Sequence, residues 1–243
     1  MNHLPALGAF AALALTLAGC QGQTSDDAAF GKRVRAYLLN HPELLQEMSQ
    51  RLDAKVASAE DANRRRATSL LPGLRSAIER DPADFVANPA GKITVTQFYD
   101  YRCPHCSAAA PKVLALIQAN PDVRVVFKEM PIFGPTSEHA ARAALAVKKA
   151  GGDALGLYAA FMATHPLDDA AINRIARQKG AQPADLAAAG DSDVAAHLAA
   201  TASLFTKLSL DGTPAFIVGD EIILGEDLDA VTAAVAKTRA KRA

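Results

Sequence analysis

Tryptophan is absent from this chain of 243 residues, and aromatic residues make up only 5% of it. Alanine and leucine must therefore fill much of the core, which favours helices. Neither sign of charge is in excess, since Lys+Arg and Asp+Glu both number 26. This balance argues against a nucleic-acid partner recruited by bulk positive charge. Three cysteines are too few for a disulfide scaffold, and a hydrophobic content of 50% excludes a largely disordered chain.

Charged side chains are also missing from residues 1–19, which contain no Asp, Glu, Lys or Arg. The stretch is apolar, is too short to span a bilayer comfortably, and ends in small residues, as a signal peptide does. Leu17-Ala18-Gly19-Cys20 resembles the bacterial lipobox, which implies that residues 1–19 are a lipoprotein signal peptide and that Cys20 is lipidated. Gln21 rather than Asp follows the cysteine, so the resemblance implies an outer-membrane anchor that faces the periplasm. The alternative is an ordinary signal peptide cut near Cys20.

Residues 20–85 are predicted to form a tether followed by a helical region. The segment 21–27 is small and polar, as tethers are. A first helix is predicted before Asn40-His41-Pro42, and the proline suits the first turn of a second helix. The apolar residues of the second helix form one stripe, which consists of Leu45, Met48, Leu52, Val56 and Ala59. A narrow stripe must be covered by the rest of the chain or by another copy of it, so a homodimer or homotrimer is one expected arrangement.

Two sequence features are predicted to end this helical region. Leu71-Pro72-Gly73 and Asp81-Pro82 both disfavour a continuous helix, so the boundary of the next domain is placed near residues 80–88. The run Arg64-Arg65-Arg66 is interpreted as a solvated helix face, and the alternative is a site for phosphate or a partner.

The most informative motif follows the first clear strand, which is predicted over residues 92–99. Cys103-Pro104-His105-Cys106 comes directly after it, and then a helix is predicted over 107–119 and a second strand over 123–127. A strand, a Cys-x-x-Cys pair, a helix and a strand in this order are the beginning of a thioredoxin-like βαβ unit.

The spacing of this motif has a chemical reason. Cys103 is expected at the helix N-terminus, where unpaired N–H groups and the helix dipole stabilise its thiolate. Pro104 fits and stiffens the first turn, and Cys106 lies one turn further on, close enough for a disulfide. His105 can donate a hydrogen bond or a positive charge to the thiolate. A stabilised thiolate is a good leaving group, so we expect the Cys103–Cys106 disulfide to be passed readily to a substrate.

Metal binding is the alternative interpretation of the same cysteine pair. Structural zinc needs four ligands, often from two such pairs, and the sequence has no second Cys-x-x-Cys. The histidines at 41, 139, 165 and 197 show no ligand spacing to one another. Cu(I) favours soft thiolates, so a copper-handling role stays open. We expect no metal and no cofactor other than the redox-active pair itself.

A second motif lies far downstream, where residues 210–218 are predicted to run from a loop into a strand. Gly219-Asp220 signals a tight turn that leads to a partner strand over 221–224, and a closing helix is predicted over 226–239. Thr213-Pro214 stands where a thioredoxin-like fold keeps a cis proline, and an ordinary turn is the alternative. A cis proline would expose the Thr213 backbone beside the cysteines, where it can pair with an extended substrate.

Between the two motifs, about residues 136–210 are rich in alanine and carry apolar residues at helical spacing. This pattern predicts an insertion of four or five helices. The expected architecture is therefore an α/β thioredoxin fold with a helical insertion over residues 86–243, preceded by the N-terminal helical region.

Together, the Cys-Pro-His-Cys pair, the insertion and Gly212-Thr213-Pro214 resemble the DsbA family of periplasmic thiol–disulfide oxidoreductases over about residues 85–241. The stretch Tyr37–Glu43 is similar to the ScsC-like branch of that family, which is linked with suppression of copper sensitivity. Some members of the branch trimerise through this region and act as disulfide isomerases. Thr213 before the proline is also similar to that branch.

The resemblance implies an envelope enzyme that forms, reduces or isomerises protein disulfides. Cys103 would form mixed disulfides with unfolded or misoxidised envelope proteins, Cys106 would resolve them, and a membrane redox partner would reset the pair. One departure concerns proton transfer, because Gln97 stands where DsbA proper has a buried glutamate. An amide cannot relay a proton, which leaves Lys128, Glu129 or water for that step.

Overall fold

The computed structural model describes residues 22–188, 190 and 192–242. Its helices are α1 (Gly22–Asn40), α2 (Glu43–Glu79), α3 (Pro104–Ala119), α4 (Pro135–Lys149), α5 (Ala154–Ala163), α6 (Asp169–Gln178), α7 (Pro183–Ala188), α8 (Ser192–Lys207) and α9 (Leu228–Ala240). Its strands are β1 (Phe85–Ala87), β2 (Ile93–Tyr99), β3 (Val123–Glu129), β4 (Ala215–Val218) and β5 (Glu221–Leu224). The chain divides into two compact units, an N-terminal unit that ends at Glu60 and a C-terminal unit that begins at Asp61.

The N-terminal unit consists of α1 and the first part of α2, separated at His41-Pro42 as the sequence predicts. Helix α1 already begins at Gly22, so the predicted tether over 21–27 is helical from that residue onward. Ala28 and Ala29 are strong helix formers, and no proline interrupts the segment. The predicted apolar stripe of α2 lies on the surface of the chain, with Leu45, Met48, Leu52 and Val56 all exposed.

Helix α2 continues through Leu71-Pro72-Gly73, so the predicted break at this point is wrong. An interior proline removes one amide donor and costs about 3 kcal/mol. Leu71 and Ile78 lie on either side of the proline, and both are fully buried in a core cluster of the C-terminal unit. Burial of two such side chains contributes about 1.5–3 kcal/mol each, which offsets the cost of the proline.

The sheet of the C-terminal unit has the strand order β1-β3-β2-β4-β5. Strands β2 and β3 are parallel, and the other neighbouring strands pair antiparallel. The turn at Gly219-Asp220 joins β4 to β5, as predicted. Strand β1 was not predicted, because three residues at an expected domain boundary carry too little periodicity to reveal a strand.

Apolar clusters cover both faces of this sheet. On one face, α3, α5 and α9 pack on side chains such as Val95, Tyr99 and Phe127. On the other face, the last part of α2 and the end of α8 pack on Phe98 and Ile217. Strand β2 is buried along its whole length, so the residues that follow it are held by a rigid element.

The predicted helical insertion lies between β3 and β4, and the described part of it contains α4, α5, α6, α7 and α8. Its helices α4, α5 and α6 contact one another, and α5 also packs on α3. Among the described residues, no helix has both the length and the apolar character needed to cross a membrane.

Candidate active site

Cys103 is the residue that caps the N-terminus of α3. Its backbone is extended (φ −73°, ψ 121°), and Pro104 follows in the first turn of the helix. The carbonyl of Cys103 accepts the N–H of Ser107 at 3.0 Å, which closes the first turn. Cys103 therefore lies at the positive end of the helix dipole, and its side chain makes no hydrogen bond to the N–H groups of the first turn.

The two sequence motifs meet at Cys103. Its thiol donates a hydrogen bond to the backbone carbonyl of Thr213, with 3.1 Å between sulfur and oxygen. The Thr213–Pro214 peptide is cis, as the sequence predicts. The structure thus brings together two segments that are 110 residues apart in the chain.

Cys106 lies one helical turn further along α3 and has no exposed surface, whereas Cys103 is 2% exposed. Both residues are free thiols in this structure. Burial raises the pKa of the Cys106 thiol, so this group stays protonated at neutral pH. The two sulfurs therefore differ in their position on the helix and in the pKa of Cys106, while both are buried.

His105 points toward solvent, with 70% of its side chain exposed. Its Nδ1 lies 3.7 Å from the carboxylate of Glu226, in the segment between β5 and α9. The sequence indicated the Cys103 thiolate as the partner of this imidazole. The structure instead places Glu226 next to it.

Asp100 organises the loop that carries the cysteines, and the sequence analysis did not identify it. Its buried carboxylate accepts the N–H of Arg102 at 2.8 Å, of Ile132 at 2.7 Å and of Phe133 at 3.0 Å. Arg102 in turn donates to the carbonyl of Phe133. The position just before the motif was the only available signal, because the amides of Ile132 and Phe133 that the carboxylate binds lie more than 30 residues away in sequence.

Buried polar groups lie beneath the cysteine loop. Tyr158 donates to the amide oxygen of Gln97 at 3.2 Å, and Tyr99 donates to Glu129 at 3.0 Å. The hydroxyls of Tyr99 and Tyr101 lie 2.9 Å apart. Burial raises the pKa of Glu129 to about 7. Within the described chain, Gln97 Nε2 and Glu129 Oε2 have no hydrogen-bond partner.

Lys128, the other predicted proton carrier, is already engaged. Its ammonium group lies 2.6 Å from the carboxylate of Asp84, and both side chains are buried. Asp81, Asp84 and His197 could each offer one ligand atom to a metal ion, within 4.8 Å of one another. The charge of Lys128 opposes a second cation at this place, so the network is better described as a buried ion pair with an adjacent histidine.

Cys20, the predicted lipidation site, lies outside the described residues. Every other residue that the sequence indicated for chemistry is in the described part: Cys103, Pro104, His105 and Cys106 at the start of α3, and Thr213 and Pro214 in the loop opposite.

Two models of protein families match the chain. Residues 94–236 match the DSBA-like thioredoxin domain, and residues 26–59 match the copper resistance protein ScsC N-terminal domain.

Several solved structures are similar to the chain. A thioredoxin-like oxidoreductase from Silicibacter pomeroyi DSS-3 is 35% identical, with a TM-score of 0.63, over 68% of this chain and 97% of that chain. Proteus mirabilis ScsC in a transitional conformation is 27% identical, with a TM-score of 0.64, over 90% of this chain and 99% of that one. A periplasmic thioredoxin-like protein from Salmonella enterica serovar Typhimurium is 30% identical, with a TM-score of 0.62, over 68% and 94% of the two chains.

Among curated proteins, the chain is 30% identical over 209 residues to the Na(+)/H(+) antiporter NhaA 3 of Salinispora tropica. The match covers 76% of this chain but only 29% of that protein. The chain therefore spans less than a third of the length of this relative.

Proposed function

Because the chain belongs to the DSBA-like thioredoxin domain family, we propose that it exchanges disulfides with proteins of the cell envelope through Cys103 and Cys106. The observation that carries this proposal is the position of the Cys103 thiol. It lies at the N-terminus of α3, 3.1 Å from the Thr213 carbonyl, with a buried second thiol one turn away. This is the arrangement that a thiol needs in order to be both a nucleophile and a leaving group.

The exchange proceeds through a mixed disulfide. In the oxidising direction, a client thiolate attacks the Cys103 sulfur, the Cys103–Cys106 bond breaks, and Cys106 leaves as a thiolate that takes up a proton. A second client thiolate then attacks the client sulfur of the mixed disulfide, so that Cys103 leaves and the client is oxidised by two electrons. In the reverse direction Cys103 attacks a client disulfide, and Cys106 resolves the intermediate. Clients are proposed to react at Cys103, because it lies at the helix terminus and burial keeps the Cys106 thiol protonated by raising its pKa.

The proton of Cys106 requires a donor inside the protein or water. Gln97 cannot supply one, and the ion pair with Asp84 occupies Lys128. Glu129 is a buried group whose pKa is raised to about 7, so it is the proposed donor. His105 and Thr213-Pro214 complete the proposed site, the first by tuning the thiolate and the second by holding the client backbone.

The proposed location is the periplasmic side of the envelope, with Cys20 as a lipid anchor and the outer membrane as its site. The similarity to a periplasmic protein of Salmonella enterica supports the compartment, and the Leu-Ala-Gly-Cys sequence supports the anchor. Unfolded or misoxidised envelope proteins are the proposed clients, and a membrane protein is the proposed redox partner.

The working assembly is proposed to be a homodimer or homotrimer formed through the N-terminal unit. The exposed stripe on α2 and the match of residues 26–59 to the ScsC N-terminal domain support this proposal. Several Cys-Pro-His-Cys sites held in one assembly favour isomerase activity over simple oxidation.

Two client assays test the activity and its direction. The oxidised protein should oxidise reduced ribonuclease, or the reduced protein should restore activity to scrambled ribonuclease, and Cys103→Ser should abolish both. The matched control is His165→Ser, a histidine outside the site. The reduction potential of the Cys103–Cys106 pair then separates the two roles, because a potential near that of glutathione favours an isomerase. Wild-type protein inactive in both assays would overturn the proposal.

Copper handling is the second candidate function, since two free thiols adjoin and part of the chain matches a copper resistance protein. Titration of the reduced protein with Cu(I) tests it. Tight binding of one ion per chain that is lost in Cys106→Ser, together with absent ribonuclease activity, would favour this candidate over disulfide exchange.

A further inference from the structure

A groove beside Cys103 has a distinct chemical character. It is about 350 Å³ in volume, and His105, Thr213, Pro214, Leu224 and Glu226 are among its lining residues. The carbonyl of Thr213 also accepts a hydrogen bond from the Cys103 thiol. A molecule in this groove therefore lies next to the sulfur that exchanges.

The charge of this groove is negative. Asp211 and Glu226 both line it with exposed carboxylates, and no Lys or Arg is among its described lining residues. Asp211 makes no hydrogen bond or ion pair within the described chain, and the Glu226 carboxylate is paired there only with the imidazole of His105, at 3.7 Å. Neither carboxylate is therefore paired with a lysine or arginine side chain in the described part of the chain.

Local backbone geometry fixes Glu226 in this position. Gly225 adopts φ +75°, and its N–H donates to the carbonyl of Pro214 at 2.8 Å, so the residue that follows lies opposite the proline loop. Asp227, the next residue, caps α9 by accepting the N–H of Ala230. The helix thus takes its cap from Asp227 and leaves the carboxylate of Glu226 free to face the groove.

Apolar side chains complete the surroundings of the cysteine loop. In the described part of the C-terminal unit, the exposed large apolar side chains are Leu70, Ile132, Phe133 and Leu224. Leu224 lines the groove, and the backbone of Ile132 and Phe133 is bound to Asp100 of the cysteine loop. The surface near the thiol therefore offers apolar side chains on two segments. The two carboxylates lie in the groove, and the exposed Arg102 lies beside Phe133.

We propose that this groove selects client cysteines that have a lysine or arginine nearby within an extended, partly apolar segment, an inference that rests on the proposed exchange activity. The carboxylates of Asp211 and Glu226 attract the cationic side chain while Leu224 packs on its apolar neighbour. Charge complementarity of this kind acts on the rate of encounter and the choice of partner.

The experiment measures how fast the oxidised protein forms the mixed disulfide with matched short peptides. The peptides share a central cysteine and differ only in the flanking residues, which are lysine in one peptide and glutamate in another. The lysine peptide should react about tenfold faster, and the preference should shrink at high salt because the carboxylates are exposed. Flanking charge also changes the reactivity of the peptide itself, so each rate is divided by the rate of the same peptide with an uncharged small disulfide, bis(2-hydroxyethyl) disulfide. The same normalised rates are measured for the Asp211→Asn, Glu226→Gln double variant.

Three variants of the groove and its surroundings test the inference. The double variant should lose most of the preference and react faster than wild type with reduced glutathione, which carries a net negative charge. Glu226→Lys should reverse the preference, whereas Asp229→Asn, an exposed carboxylate outside the groove, should keep it. Equal normalised rates for both peptides would overturn the selectivity and leave the exchange activity standing. Failure of every peptide to react would overturn the exchange activity and the selectivity with it.

Discussion

Glu129 is a fully buried carboxyl group whose protonation is coupled to folding. Burial raises its pKa from 4.5 in its ordinary state to about 7, so the folded protein favours the neutral acid. Glu129 therefore contributes to folding stability at low pH. This contribution is lost as the pH rises from the pKa of the unfolded state through the pKa of the folded state. The charged form inside the protein then costs on the order of 3 kcal/mol above neutral pH.

We expect Glu129→Gln to remove this pH dependence, because glutamine keeps the hydrogen bond from Tyr99 without a charge. Urea unfolding at about pH 5 and about pH 8 should show a wild-type protein that loses stability with rising pH and a variant that loses less. Glu60→Gln, on an exposed side chain, is the matched control. The same loss of stability in wild type and Glu129→Gln would contradict the assignment.

At the scale of residues, sequence reasoning found those whose neighbours are close in the chain. The Cys-Pro-His-Cys spacing located Cys103 at a helix N-terminus, and Thr213-Pro214 was recognisable as a pair. Asp100 and Glu226 were not identified, since each acquires its meaning from a residue more than 30 positions away. The neighbour of His105 was missed for the same reason, because Glu226 lies far away in sequence, between β5 and α9.

At the scale of elements, the last part of α2 belongs to the core of the C-terminal unit. Leu71 is fully buried there, whereas its neighbour Leu70 is 38% exposed. Leu71→Ala should therefore lower the free energy of unfolding by about 2–5 kcal/mol, by loss of buried surface and creation of a cavity.

Leu70→Ala is the control for that prediction, and it should lower stability by less than about 1 kcal/mol, as surface substitutions do. Chemical denaturation of both variants measures the difference. Equal losses would show that α2 is not packed at Leu71 as described.

The first part of α2 carries the apolar stripe, and its exposure predicts self-association. Leu52→Lys places a charge in the stripe and should weaken the assembly by at least about tenfold in Kd. Gln50→Lys adds the same charge on the opposite side of the helix and should not. Light scattering of the chain without residues 1–20 measures both, and a monomeric wild type would end the proposal of a homodimer or homotrimer.

Elements with strong periodicity or clear end signals were predictable. Strand β2, the turn between β4 and β5, and α9 all appear where the sequence indicated them. The predicted break at Pro72 was wrong because burial of Leu71 and Ile78 in the core outweighs the unfavourable effect of a proline inside a helix. Strand β1 escaped notice because it is only three residues long and gains its stability from pairing with β3.

At the scale of the whole molecule, the motif order was enough to indicate the fold. A strand, a Cys-x-x-Cys helix and a second strand predicted parallel pairing, and β2 and β3 are parallel. The alanine-rich segment predicted the helical insertion between β3 and β4. The sequence could not show the groove between the cysteine loop and the Glu226 segment, because that surface exists only after three separated segments meet.

The central claim is that Cys103 is the sulfur that meets a client and Cys106 is the sulfur that resolves the intermediate. The most direct test incubates reduced Cys106→Ala with a protein that contains an accessible disulfide, and detects covalent adducts on a non-reducing gel and by mass spectrometry. We predict that a mixed disulfide through Cys103 accumulates, because the resolving thiol is missing, and that Cys103→Ala forms none. Equal adduct formation by Cys103→Ala, or none by Cys106→Ala, would contradict the account.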